Sequence, residues 1–184
     1  GIIRNRVISS SKYSNVDYVD INIYYSGLGM WYDGQPYIIP KDGNSNQISS
    51  LCSLDNILTN LSLLSVLQNI NSITLILDIK YINNPSSDEY RYPSLSEKIC
   101  ILAASSVGES SAENDQMKHS LFSYFLFKGL KGDAMGSDNK IELGELAEYL
   151  YRMVPEASKS DENIQTQNPE FIGTDLKRIL LDLR

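Results

Sequence analysis

The chain has 184 residues, 42% hydrophobic and 21% charged, a balance that suits one soluble globular domain with a sizeable core. Sixteen basic against twenty-three acidic residues leave a net charge of -7 with no Lys/Arg cluster, so nucleic acid is not an expected partner. No apolar run reaches the length of a bilayer-crossing helix, so no membrane contact is expected either. Cys52 and Cys100 form no CxxC pair and His119 is the only histidine, which argues against a zinc site and a disulfide framework. The expectation is an intracellular, cytoplasmic protein with reduced thiols, no metal and no cofactor.

In chain order, Asp17 to Tyr25 (DYVDINIYY) mixes alternation with β-branched and aromatic residues and stops at Ser26-Gly27, which predicts a strand leading into a tight loop. Tyr32 to Asp42 has turn residues on both sides of Tyr37-Ile38-Ile39 and predicts a small hairpin or edge piece. From Ser50 to Ile70, Leu51, Leu54, Ile57, Leu58, Leu61, Leu64 and Leu67 recur at helical spacing, giving a helix with one buried stripe. Ile73 to Ile79 and Ile99 to Ala104 are short, almost continuous apolar runs, the pattern of strands covered on both faces. Strand, long helical connection, strand implies a crossover and parallel neighbours, so the class is α/β with a mainly parallel central sheet.

A polar loop follows at Ser105 to Gln116, and the acidic stretch within it, Glu109 to Asp115, reads as solvated. A helix with Leu121, Phe122, Phe125 and Leu126 on its buried side ends near Gly129. Gly132 to Glu142 lacks the spacing of a calcium loop and reads as a turn. The next helix, Glu142 to Val154, buries Leu143, Leu146, Ala147 and Leu150 and stops before Pro155. Lys159 to Pro169 (KSDENIQTQNP) is polar without period and reads as a mobile loop, and Asp175 to Leu183 returns to helical spacing. There are no internal repeats, and residues 1–184 read as one domain.

Five segments in this order resemble the caspase/metacaspase family of cysteine peptidases. Tyr24-Tyr25-Ser26-Gly27-Leu28-Gly29 resembles the family's YYSGHG, and Tyr37-Ile38-Ile39-Pro40-Lys41-Asp42 its yLlPxD. Leu75 to Tyr81 (LILDIKY) resembles the strand and loop that read lilDxCxSG. Ala103-Ala104-Ser105, then His119 to Tyr124 and Gly129 to Gly132, resemble the passage from the fifth strand into the following helix. Ile141 to Tyr149 resembles an ItxxELxxY helix start. The resemblance implies a three-layer caspase-like fold, of which this chain holds the C-terminal part, the N-terminal strands of the sheet being absent from it.

In active members a histidine of the SGHG loop lies beside a cysteine of the DxC loop, because acyl transfer needs a nucleophile and a base that shuttles its proton. The histidine position here is Leu28 and the cysteine position is Lys80. Leucine has no titratable atom, and a lysine ammonium with an ordinary pKa of about 10.4 has almost no free lone pair at neutral pH. Tyr81-Ile82-Asn83 also replaces the small turn after the nucleophile, so the loop that would carry an oxyanion hole departs from the family pattern.

Asp78 matches the aspartate that in metacaspase-like members helps recognise a basic substrate residue. Two residues apart on a strand, Asp78 and Lys80 project to one side, so Lys80 either plugs that acidic site as an internal ion pair or reaches solvent at the strand end. Schiff-base chemistry at Lys80 is disfavoured by the neighbouring carboxylate, and a dyad rebuilt from Cys52 or Cys100 with His119 competes with a core role for Cys100 and a capping role for His119. Met30, Trp31 and Tyr32 form either an apolar anchor for a partner or part of the core. Two functional classes follow. One is a non-catalytic module that binds a peptide or protein, such as an active relative or a chain supplying the N-terminal strands. The other is a cysteine endopeptidase subunit, cleaving after basic or acidic residues, whose catalytic groups come from a partner or an unseen segment.

Overall fold

The computed structural model describes residues 18–83, 90–109, 111–114, 118–160 and 165–183. The first long strand, β1 (Val19–Tyr32), runs straight through Ser26-Gly27 instead of stopping there. It turns back at Asp33-Gly34, both at positive φ (50° and 71°), into β2 (Gln35–Ile38). Two left-handed residues in a two-residue loop match the right-handed twist of the flanking strands, and Asp-Gly adopts them at little cost. The expected hairpin at Tyr37-Ile38 is therefore present. Asp17, the first residue of the expected strand, lies outside the described residues.

The chain then makes a short β3 (Cys52–Ser53) and enters α1 (Leu54–Ser65), where the Ser53 hydroxyl accepts the Asn56 N–H at 3.4 Å as an N-cap. The helix is shorter than the stripe from Ser50 to Ile70, because its first residues form a 3-10 turn (Ile48–Ser50) and β3, while Ile70 already belongs to β4 (Ile70–Tyr81). β5 (Ile99–Ala103) follows, then β6 (Glu113–Asn114), β7 (His119–Ser120) and α2 (Leu121–Lys128). A π turn over Gly129–Asp133 leads to β8 (Lys140–Glu142) and α3 (Leu143–Lys159). The last strands are β9 (Glu170–Ile172) and β10 (Ile179–Asp182).

Among the described residues one six-stranded sheet has the order β3-β2-β1-β4-β5-β9. Its centre, β1-β4-β5, is parallel, and β2, β3 and β9 add antiparallel margins. On one face α1 buries Leu54, Leu58 and Leu61 against Ile73, Leu75, Leu77, Ile79, Ile99 and Ile101. On the other, α2 and α3 bury Leu121, Phe122, Leu126, Leu146 and Leu150 against Ile76 and Leu102. The alternation of β4 thus divides its side chains between two cores, as expected for a parallel strand covered on both faces.

Two expectations fail. α3 does not stop before Pro155 but runs through it to Lys159, because Val154 and Ser158 are fully buried and hold the last turns in place despite the missing N–H. Asp175 to Leu183 is not a helix: β10 pairs antiparallel with β8, with Leu180 turned to the core and Ile179 and Leu181 outward. The cause lies in Arg178, whose guanidinium donates to Ile73 O (2.8 Å), Thr74 Oγ1 (3.0 Å) and Lys98 O (3.0 Å) at the amino ends of β4 and β5. Anchoring it there draws the chain out into extended form.

Among the described residues, the edge of β1 that faces away from β4 is only partly filled. β2 takes it up from Gly29 to Tyr32, and Ile39 donates to Leu28 O (3.0 Å). Along Val19–Leu28 no other described strand pairs with that edge. Val19, Ile21, Ile23 and Tyr25 pack half-buried on the α1 side, while Asp20, Asn22 and Tyr24 are exposed on the other.

Candidate functional site

The parallel register of β1 and β4 sets Ser26 opposite Asp78 and Leu28 opposite Lys80 near the carboxyl end of β4, where the pairing of the two strands stops at Gly29 and Tyr81. Ligands of open α/β sheets bind in this place, beyond the strand ends. Gly29, the next residue, has no room for a side chain: a Cβ would lie 2.5 Å from Ile79 Cγ2 and 2.9 Å from Tyr37 O. The close approach of β1, β2 and β4 here depends on that glycine.

Asp78 is 3% exposed, yet it is not apolar surroundings that receive it. Four serine hydroxyls donate to its carboxylate: Ser111 to Oδ1 at 2.6 Å, and Ser26 (3.5 Å), Ser120 and Ser123 to Oδ2. Tyr24 extends the set, its hydroxyl donating to Ser123 Oγ at 2.7 Å, since Ser123 spends its own proton on Asp78. Ser120 is also the N-cap of α2, accepting the Ser123 N–H at 3.0 Å. The carboxylate therefore sits at the positive end of a helix, with its lone pairs occupied by hydroxyls from the middle of β1, the segment before β6 and the start of α2. A buried charge is tolerated only with such saturation.

The partners described for the Asp78 carboxylate are serine hydroxyls, and Lys80 is exposed near the end of β4. Leu28 is 46% exposed beside it, with Tyr24 and Phe127 half-exposed nearby, their rings edge to face at 5.8 Å. His119 packs edge-on against Phe127 at 6.0 Å. Cys100 is fully buried within β5, and Cys52 lies exposed in β3 at the sheet margin, so the cysteines serve as core and edge residues.

The loop after β4 is drawn back onto β1. Ile82 donates its N–H to Gly29 O (3.0 Å), and the Asn83 amide clamps Trp31, accepting its N–H at 2.9 Å and donating to its carbonyl at 2.8 Å. The side chain prolongs the ladder past Tyr81, and the Ile82 N–H is consumed by it. That donor is unable to serve a developing oxyanion, which requires a free N–H aimed at the reacting atom.

Met30-Trp31-Tyr32 divides. Trp31 is 7% exposed and packs against Tyr81 (5.2 Å) and Tyr90 (5.3 Å), so it belongs to the core and not to a binding anchor. Tyr32 is exposed and Met30 half-buried. Burial pushes the Tyr25 hydroxyl up to about 12, with Cys52 adding to the shift, and that hydroxyl donates to Leu28 O (3.0 Å) at the strand end. Burial likewise raises Tyr81, Tyr90 and Tyr92 above the ordinary phenol range, Tyr90 also through its hydrogen bond to Asp55. These phenols stay neutral and act as packing and donor groups.

Gly132 to Glu142 runs from the end of the π turn through a turn with Asn139 at φ 62° and Asp138 accepting the Lys140 N–H at 3.1 Å, and its last three residues form β8. Sequence reasoning found Asp78 but missed its four serines, for which only Ser120 carries a local signal, as a cap before an apolar run. No protein-family model matches the chain, and a search of curated proteins finds no match.

Proposed function

We propose that this chain is a caspase-like pseudoprotease module, a non-catalytic domain that binds a peptide or protein segment across the carboxyl ends of β1 and β4. The observation that carries the reading is the cross-strand pair Leu28 and Lys80. In the family the chain resembles, those two positions supply the base and the nucleophile, and they must be neighbours for a proton to pass between them. Here they are neighbours, and neither side chain can do the work. Loss of either partner costs several orders of magnitude in rate, and loss of both leaves only binding and oxyanion donors. The use of the Ile82 N–H in the ladder to Gly29 supports the same reading.

Among the described residues no strand pairs with the outer edge of β1 along Val19–Leu28, which supports a protein partner. The edge's outward N–H and C=O groups, with half-buried Val19, Ile21 and Ile23 alternating along it, suit an added extended segment.

The test is hydrolysis of fluorogenic peptides with Arg, Lys or Asp at the cleavage position, comparing the chain with a Leu28→His/Lys80→Cys variant. The parent is expected to be silent, and cleavage by the variant would add that the groove is intact. A parent that cleaves as fast as the variant overturns the reading and directs the search to Cys52 or a second chain.

A further inference from the structure

The stretch from Lys159 to Pro169, expected to be a mobile loop, contains one of the most deeply buried polar side chains among the described residues, Gln167 at 0% exposure. Residues 161–164 lie outside the described ones. Gln167 Nε2 donates to Ala104 O at 2.7 Å, and its Oε1 accepts the Ala112 N–H at 3.0 Å. Its own N–H is held by Ser158 Oγ at 3.1 Å, on the last turn of α3. One amide thus fixes two points of the connection between β5 and β6 and ties both to α3. Asn168 adds a second fastening, donating to both Glu109 oxygens (2.7 and 2.6 Å) and accepting the Ser106 N–H at 2.8 Å.

Ala112 is the residue after Ser111, whose hydroxyl alone among the described partners reaches Asp78 Oδ1. Ala112 O also accepts the Leu121 N–H (2.9 Å), next to Ser120 and two residues from Ser123, the groups on Oδ2. We infer that Gln167 is a positioning residue for the Asp78 cage: by holding Ala104 and Ala112 at a fixed separation it sets Ser111 on the carboxylate, so a segment remote in sequence determines how the buried carboxylate is held. A glutamine suits the task because it has one donor and one acceptor on a planar head, and the two backbone groups it meets are one acceptor and one donor. Glutamate in its place would set a carboxylate oxygen against Ala104 O, and methionine would fill the space while leaving both backbone groups unmet.

The consequence for peptide capture rests on the proposed function. The cage itself is open to measurement without any peptide. The carboxyl carbon of Asp78 is followed by nuclear magnetic resonance in the parent, in Gln167→Met, in Ser111→Ala and in the double variant, together with exchange of the Ala112 amide. Gln167→Met is expected to move the Asp78 signal in the same direction as Ser111→Ala, to add little in the double variant, and to speed Ala112 exchange roughly tenfold. Arg178→Met, which loosens the opposite end of the sheet, should lower the melting temperature and leave the Asp78 signal in place. If Gln167→Met does not fold, Gln167→Asn, which keeps the amide but shortens its reach by one methylene, is read the same way. An Asp78 signal that stays put in a folded Gln167 variant overturns the inference, as does one that moves equally in Arg178→Met.

Discussion

The two ends of the central sheet each bury an ion, and they treat it differently. At the amino ends of β4 and β5, Arg178 is 8% exposed, donates to two carbonyls and a threonine hydroxyl, and pairs with Asp175 at 3.1 Å. Its partners are rigid backbone groups and a counter-ion, an arrangement that fastens the last strand and leaves nothing to exchange. At the carboxyl ends Asp78 is more deeply buried, and the partners named for it are neutral hydroxyls that rotate about single bonds. Charge satisfied by backbone and counter-ion makes a joint. Charge satisfied by hydroxyls near the carboxyl end of β4, beside half-exposed Leu28 and Tyr24, depends on side chains from three separate segments and not on fixed backbone.

The contrast breaks most visibly at Arg178. Arg178→Met should cost about 2–4 kcal/mol of stability, because Ile73 O and Thr74 Oγ1 lose the guanidinium while buried, Asp175 loses its counter-ion, and Lys98 O is left with the Ile73 N–H. Ser111→Ala at the other end should cost about 1–2 kcal/mol, since Asp78 retains three hydroxyls. Denaturant unfolding of both variants measures the difference, and equal losses would remove the distinction between the two ends.

A smaller effect sharpens the comparison within the carboxyl end. Glu170, paired in register with Ala103, has one buried oxygen with no partner, and burial pushes its carboxyl above the ordinary range, against the pull of Arg91 and with the push of Glu109. A carboxyl raised in the folded state contributes stability that is full below its unfolded value near 4.5 and is lost as pH rises through the folded value. Glu170→Gln should therefore flatten the decline in melting temperature just above pH 4.5, and a variant whose profile keeps that decline would show that Glu170 is not its source.

How far the sequence foretells this depends on the kind of contact. Strands β1, β4 and β5 and helices α1, α2 and α3 are legible because burial on one or two faces imposes a period on Leu, Ile and Phe. The end of the chain misleads because Leu176, Leu180 and Leu183 fit a helical stripe, while a single side chain, Arg178, settles the matter by reaching backbone some eighty to a hundred residues away. The loop around Gln167 misleads for the same reason: polar composition argues for solvent, but the side-chain amide and the backbone N–H of Gln167 all meet backbone or hydroxyl partners. In the candidate site, Leu28, Asp78 and Lys80 are reached through motif resemblance, and their adjacency follows from parallel register. The serine cage is invisible beforehand, because Ser26, Ser111, Ser120 and Ser123 share no spacing and meet only through tertiary packing.

The central claim, that positions 28 and 80 face one another as a dead base and nucleophile, is tested most directly by alkylation of a thiol installed by Lys80→Cys, in a Cys52→Ser background, with and without Leu28→His. Parallel neighbours about 4.8 Å apart allow an imidazole to stabilise the thiolate, so the variant with Leu28→His should react with iodoacetamide faster near pH 6 and with a lower apparent thiol pKa. Identical rates and pH profiles with and without Leu28→His would contradict the account.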